Sequence, residues 1–162
     1  MTAPYLSKTK YLIGLQCPKL LWTHYHAKDQ LPSVAAATQA LFDEGHAVGE
    51  LAKQRYPGGS GLDWDAGFAA GIRRSTDLLA ARRPLFEAGF AFGRAYARAD
   101  ILNPVGRDQW DIVEVKSGTA IKDINHHDLA FQRHCYAGAG LKIRRCLLMH
   151  VNNEYVRHGA LD

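Results

Sequence analysis

From Leu85 to Lys116 the chain runs through three consecutive stretches in which apolar residues alternate with small or polar ones, separated only by two turn strings. Period-two alternation puts successive side chains on opposite faces of a strand, and connections this short join antiparallel neighbours. Gly93-Arg94 reads as the first turn and Asn103-Pro104-Val105-Gly106-Arg107-Asp108 as the second. Leu85 to Phe92, Ala95 to Leu102 and Trp110 to Lys116 therefore predict a three-stranded meander.

The sequence around the meander is helical in texture. Ser7 is placed to cap a segment through Tyr11, Leu12 and Leu15, and Pro18 to open a second carrying Leu20, Leu21 and Trp22. Val34 to Gln54 reads as one long helix stopped by Pro57-Gly58-Gly59. Residues 66 to 82 form another, and Asn125 to Gly138 a third that carries Leu129, Phe131, Gln132, Cys135 and Tyr136. Leu141 to Val151 reads as a buried strand, with Tyr155-Val156-Arg157 adding a short hairpin arm. The order helix, three strands, helix, strand predicts an α/β domain with a mixed sheet flanked by helices, and 162 residues suit one such domain.

No apolar run approaches the roughly 20 residues needed to span a bilayer, and the start Met1-Thr2-Ala3-Pro4-Tyr5 lacks the features of a signal peptide. A cytoplasmic protein without a membrane partner is expected. The formal charge of +4 favours an anionic partner, with nucleic acid among the candidates.

Two strings carry the chemistry: Arg98-Ala99-Asp100-Ile101-Leu102 and Ile112-Val113-Glu114-Val115-Lys116-Ser117. Alternation puts Glu114 and Lys116 on one face of their strand and Val113 and Val115 on the other. Asp100 lies on the preceding strand, where an antiparallel partner brings it close to Glu114. Two carboxylates and a lysine suit a hard divalent cation with oxygen ligands, Mg²⁺ or Mn²⁺. An E-x-K pair alone is ordinarily a solvated ion pair worth under ~1 kcal/mol. Here the strand is otherwise apolar, an aspartate lies on the neighbouring strand, and Gln132 and Tyr136 share a face of the following helix.

Asp100, Glu114-Val115-Lys116 and Gln132-x-x-x-Tyr136 together resemble the RecB-like branch of the PD-(D/E)XK nuclease superfamily, which includes the Cas4 and AddB nuclease domains. The texture is most similar to the predicted nucleases containing DUF2779, in Tyr11 to Pro18, Phe42 to Ala52, Glu114 to Ser117 and His127 to Gln132, so that the resemblance spans nearly the whole chain. It implies a restriction-endonuclease-like core and a Mg²⁺- or Mn²⁺-dependent deoxyribonuclease acting in repair or defence, on single strands or duplex ends. It further implies that Asp100 and Glu114 bind the metal with the Val115 carbonyl, and that Lys116 is the catalytic lysine. Gln132 and Tyr136 then line the site and contact the substrate backbone, flanked by Arg98 and Ser117. The first long helix supplies one more ligand in such nucleases. Counting from Gly45, the usual histidine position falls on Gly49, leaving Glu50 as first choice over Glu44 and His46. Cys17-Pro18 resembles the first cysteine of the iron–sulfur cluster of Cas4 and AddB. A cluster needs four thiolates, and this sequence has Cys17, Cys135 and Cys146, so no complete cluster is expected in this chain. The longer relatives suggest the N-terminal part of a longer protein, with a further domain or protein partner.

Other motifs carry less. Cys17, His24 and His26 lack a fourth zinc ligand at sensible spacing. Gly58-Gly59-Ser60-Gly61 lacks the Lys-Ser/Thr of a phosphate loop. His126-His127-Asp128 reads as the cap of the last helix, with Asn125 or Asp123 at its start. The pairs Arg73-Arg74, Arg82-Arg83 and Arg144-Arg145 are read as solvated faces, with some lining a DNA channel.

Overall fold

A computed structural model describes residues 4–33 and 36–159. The elements in chain order are β1 (Leu6–Ser7), α1 (Lys8–Gln16), α2 (Pro18–His26), α3 (Ala36–Gln54), β2 (Ser60–Gly61) and α4 (Phe68–Leu78). They continue with β3 (Leu85–Phe92), β4 (Ala95–Val105), β5 (Gln109–Lys116), α5 (Asp123–Gly138) and β6 (Lys142–His150). The architecture is α/β, a mixed open sheet in the order β2-β3-β4-β5-β6 flanked by helices. The meander β3-β4-β5 is antiparallel, whereas β2 joins β3, and β6 joins β5, in parallel. Helix α5 is the crossover between β5 and β6. Among the described residues no helix is long and apolar enough to cross a membrane.

Several boundaries differ from expectation for local reasons. Strand β4 runs on to Val105 instead of turning at Asn103. Pro104 is tolerated because β3 ends its pairing at Leu102, leaving only β5 beside the proline. The turn shrinks to Gly106–Asp108. Helix α5 starts at Asp123, two residues early, because the Asn125 side chain accepts the Lys122 N–H at 2.8 Å. Asp128 is thus inside the helix rather than at its cap. The segment Tyr155-Val156-Arg157 forms no strand. The expected start of the long helix at Val34 lies outside the described residues. The Ser7 cap forms as read, its Oγ accepting the Lys10 N–H at 3.3 Å, and Pro18 opens α2.

The sheet buries a core on each face. Leu85, Ala88, Phe90, Ala97, Ala99, Leu102, Trp110 and Ile112 pack with Phe131, Cys135 and Tyr136 of α5. On the other face Ile101 and Val113 pack with Ala52 of α3, with Phe86, Val115 and Met149 against them. Phe86 and Ala88 are two apart on β3 yet face opposite cores, and so do Ala99 and Ile101 on β4. Alternation therefore breaks once in each strand, at Glu87 and at Asp100. Glu87 takes the break in its backbone, with φ at +58°, a left-handed conformation that costs a non-glycine residue about 1 kcal/mol or more.

The same irregularity splits the sheet. Pairing between β4 and β5 covers only Ile101–Val105, whereas β5 continues to pair with β6 as far as Lys116. Since β3 occupies the opposite edge of β4, the parallel β1 pairs with Ala95 and Tyr96 on the edge that β5 has left. The strands thus fork at Asp100, and α1, which follows β1 directly, starts inside the fork. Tyr11 of α1 stacks on Phe131 of α5 with centroids 4.6 Å apart, fixing the helix there.

Helix α4 docks on β3 beside the break. The buried Ser75 hydroxyl donates to the Gly71 carbonyl at 2.8 Å and accepts the Gly89 N–H at 2.9 Å. Trp64 fills the space over Gly71 and Gly89, where an added Cβ would meet its ring at 2.2 and 2.5 Å. Its indole N–H donates to the Glu87 carbonyl at 3.1 Å. Ser75→Ala strands the Gly89 N–H in the core, and chemical denaturation is expected to show a loss of about 1–3 kcal/mol.

Candidate active site at the strand fork

Glu114 is the centre of a buried polar cluster in the fork. It is 2% exposed, and alternation along β5 turns it toward α5, where Gln132 and Asp128 project one turn apart. Lys8 at the start of α1 donates to both Glu114 oxygens at 2.9 Å. Lys116 donates to Oε1 at 2.5 Å, and the Gln132 amide to Oε2 at 2.6 Å. Asp128 receives Lys116 at 2.9 Å and Gln132 at 2.9 Å, with Lys8 at 3.5 Å. Asp100 closes the fork from the β4 side. Its Oδ2 accepts the Val115 N–H at 2.6 Å, the main-chain group between Glu114 and Lys116.

Two ammoniums do not fully compensate these carboxylates. Burial raises the pKa of Glu114, and the Asp100 charge raises it further, against the lowering pull of Lys8 and Lys116. Asp100 is likewise raised, by burial first and Glu87 in addition, despite Lys8 and the Val115 N–H. Asp128 goes the other way. Burial would raise it, but Lys8, Lys116 and the Gln132 amide together hold it below the ordinary range. Burial lowers both lysines, and the facing carboxylates overturn that, leaving Lys8 and Lys116 raised.

The expected site residues separate into groups. Glu114, Lys116 and Gln132 are in direct contact. Asp100, Val115 and Glu50 line one cleft of about 110 Å³ between α3 and the fork, together with His46, Gly49 and Glu87. Glu50 is exposed there and paired with Lys53 at 2.6 Å; Glu44 is exposed on α3 outside this lining. Arg98 lines a second cleft with Lys8, Glu87 and Asp100, its guanidinium 5.2 Å from the Trp64 ring centre. Ser117 is partly buried just beyond β5. Tyr136 is fully buried beneath the fork. Its hydroxyl donates to the Ala88 carbonyl and accepts the Ala99 N–H at 2.8 Å, filling the β3–β4 ladder beside the Glu87–Asp100 break. Cys17 lies at the α1–α2 junction, while Cys135 and Cys146 pack in or against the α5 core. Burial pushes the Cys135 thiol up to about 12.

Three participants escaped the sequence reading. Lys8 drew no reading of its own, Asp128 read as part of a cap, and Glu87 as one position of an alternating strand. Only the left-handed Glu87 and its opposition to Asp100 bring that carboxylate to the cleft. The arginine pairs, by contrast, include structural residues. Arg82 donates to the carbonyls of Val105, Gly106 and Gln109 and lies 4.5 Å from the Trp110 ring centre, and Arg144 grips Asp111 through two hydrogen bonds.

The donor set suits a hard cation: Asp100, Glu114, Glu87 and the Val115 carbonyl are all oxygen donors. Gln132 Oε1, fully buried beside Glu114, has no hydrogen-bond donor among the described residues, and such an acceptor costs about 1–3 kcal/mol unless a proton or cation reaches it. Among the described residues, however, no three histidine, cysteine or acidic side chains converge on one point. Asp100 borders the α3 cleft with Glu87 and Glu50, while Glu114 faces α5.

No family model, no curated protein and no solved structure matches this chain.

A carboxyl whose pKa is raised on folding costs stability as pH rises from its unfolded value through its folded one. Asp100→Asn removes that cost while keeping an oxygen to accept the Val115 N–H. The metal-free variant is expected to melt above wild type at pH 7–8. The advantage should shrink as pH falls toward the ordinary carboxylate range, where the cost of ionising Asp100 is lost, and thermal melts across this range check it.

Proposed function

We propose that this protein is a metal-dependent nuclease with a restriction-endonuclease-like core of the RecB-like PD-(D/E)XK type, hydrolysing DNA phosphodiester bonds in the cytoplasm. The observation that carries the reading is the Asp100 carboxylate on the Val115 N–H, which sets it beside Glu114 and Lys116 at a fork in the sheet. Asp100 and Glu114 would hold a Mg²⁺ or Mn²⁺ ion, which would supply positive charge beside the phosphodiester and make water a stronger nucleophile. Glu87, the Val115 carbonyl and Glu50 border the same cleft and complete the oxygen donors available there.

The chain's own groups do the rest. Lys116, about a third exposed, extends its ammonium from the buried cluster toward the groove between α1 and α5. There it offsets the negative charge that develops on the phosphate as the water oxygen bonds to phosphorus and the ester oxygen leaves with a proton. Asp128 and Gln132 hold Lys116 and Glu114 in place, so that neither needs to reorganise during the reaction. Tyr136, with both hydroxyl functions taken by main chain, supports the fork rather than the substrate. The net positive charge raises the local concentration of a polyanionic substrate.

A second reading is favoured by one contact. Lys8 already occupies both oxygens of Glu114, as in a nuclease-fold module that binds nucleic acid or a protein partner without cutting. Cleavage assays on single-stranded and duplex DNA with Mg²⁺ or Mn²⁺ separate the two. Asp100→Asn, Glu114→Gln and Lys116→Ala are each expected to lose about 100-fold or more in rate while keeping wild-type circular dichroism and DNA binding. Undiminished cleavage by Lys116→Ala would sink the nuclease reading. DNA binding without cleavage by the wild type, under either cation, would establish the binding module.

A further inference from the structure

Lys8 is an odd residue to find where it is. It is the first residue of α1, the end of a helix at which the backbone amides already carry partial positive charge and a cation is disfavoured. Its ammonium nevertheless reaches into the fork and takes both oxygens of Glu114. Within this part of the cluster the charges are already balanced, since Glu114 and Asp128 face Lys8 and Lys116. A divalent cation binding Glu114 must take oxygens that the Lys8 ammonium now occupies, so the two compete for one carboxylate. Exchanging the Lys8 ammonium for that cation raises the positive charge by one unit, and Asp100 and Glu87 stand on the cleft side to absorb it.

The geometry also selects which ammonium leaves. Lys116 keeps a strong second anchor, Asp128 at 2.9 Å, whereas Lys8 has that carboxylate only at 3.5 Å. Lys8 borders both the groove between α1 and α5, of about 800 Å³, and the cleft that contains Asp100 and Glu87. Lys8 and its neighbour Thr9 thus border both openings.

We propose that Lys8 is a built-in competitor of the divalent cation at Glu114, so that metal loading requires its ammonium to leave the fork. The inference rests on the metal site proposed above and concerns its regulation. The start of α1 acts as an internal counter-ion, keeping Glu114 charged and in place until metal arrives. Release of Lys8 joins the α1–α5 groove to the Asp100 cleft, making the site open only when it is loaded.

Calorimetric titration with Mn²⁺ tests the competition. Lys8→Met is expected to bind Mn²⁺ roughly tenfold tighter or more than wild type, and Lys8→Arg, which retains the charge, no tighter than wild type. Equal or weaker binding by a folded Lys8→Met overturns the inference alone. Absence of Mn²⁺ binding by wild type and both variants overturns the metal site itself, and the inference with it. A second measurement needs no variant. Acylation of wild-type amines at pH 8, mapped by mass spectrometry, should show Lys8 shielded without metal and labelled severalfold faster with saturating Mn²⁺, with exposed Lys28 as the internal standard. Unchanged labelling of Lys8 in Mn²⁺-saturated protein overturns the proposal even if Lys8→Met fails to fold.

Discussion

One hydrogen bond holds the fork together, that from the Val115 N–H to Asp100 Oδ2. At this point β5 leaves β4, and a main-chain donor that would otherwise join the ladder is met by a side chain instead. A buried donor left unmet costs on the order of 1–3 kcal/mol, so the divergence of the strands depends on having a short acceptor at position 100. Everything that makes this end of the sheet unusual follows. The gap admits β1 beside β4, β1 leads directly into α1, and α1 brings an ammonium to Glu114.

Burying Glu114 is the second constraint. A lone carboxylate in an apolar interior is prohibitively costly, and one that is kept must be paired and hydrogen-bonded. Three donors from three elements converge on it: Lys8 from α1, Lys116 from β5 and Gln132 from α5. No short-range pattern could supply all of them. The residual strain shows in the raised pKa values of Asp100 and Glu114, against the lowered one of Asp128. The cluster is thus satisfied on the α5 side and under-compensated on the side of the α3 cleft, where the donors that suit a cation are found.

The parts of this picture that local physics determines were legible in the sequence. The meander, the Ser7 cap, the Pro18 helix start and the shared face of Glu114 and Lys116 all follow from periodicity or from one side chain's own geometry. What was missed lies across long separations or in the backbone. Lys8 and Glu114 are 106 residues apart, and nothing at the start of α1 marks a lysine as buried. Glu87 fits an alternating strand until its φ turns positive. Tyr136 was correctly paired with Gln132 on one helical face, but that face is the core, and only the gap in the β3–β4 ladder explains where its hydroxyl goes.

The opposite end of the meander is built to resist what the fork permits. There Arg82 ties together three carbonyls across the β4–β5 turn and covers Trp110, while Lys142 reaches Asp108 and Arg144 grips Asp111. The two strands are therefore pinned at the turn and diverge at the tips, where the Asp100–Val115 bond is the link between them. From Val105 to Asp100 the arm is about 17 Å long at ~3.4 Å per residue. A rotation of only some 3° at the pin moves the tips apart by about 1 Å, a shift large compared with the ~0.2 Å tolerance of metal coordination. Stiffness at a turn remote from Glu114 thereby sets how closely the spacing of two carboxylates on different strands is held.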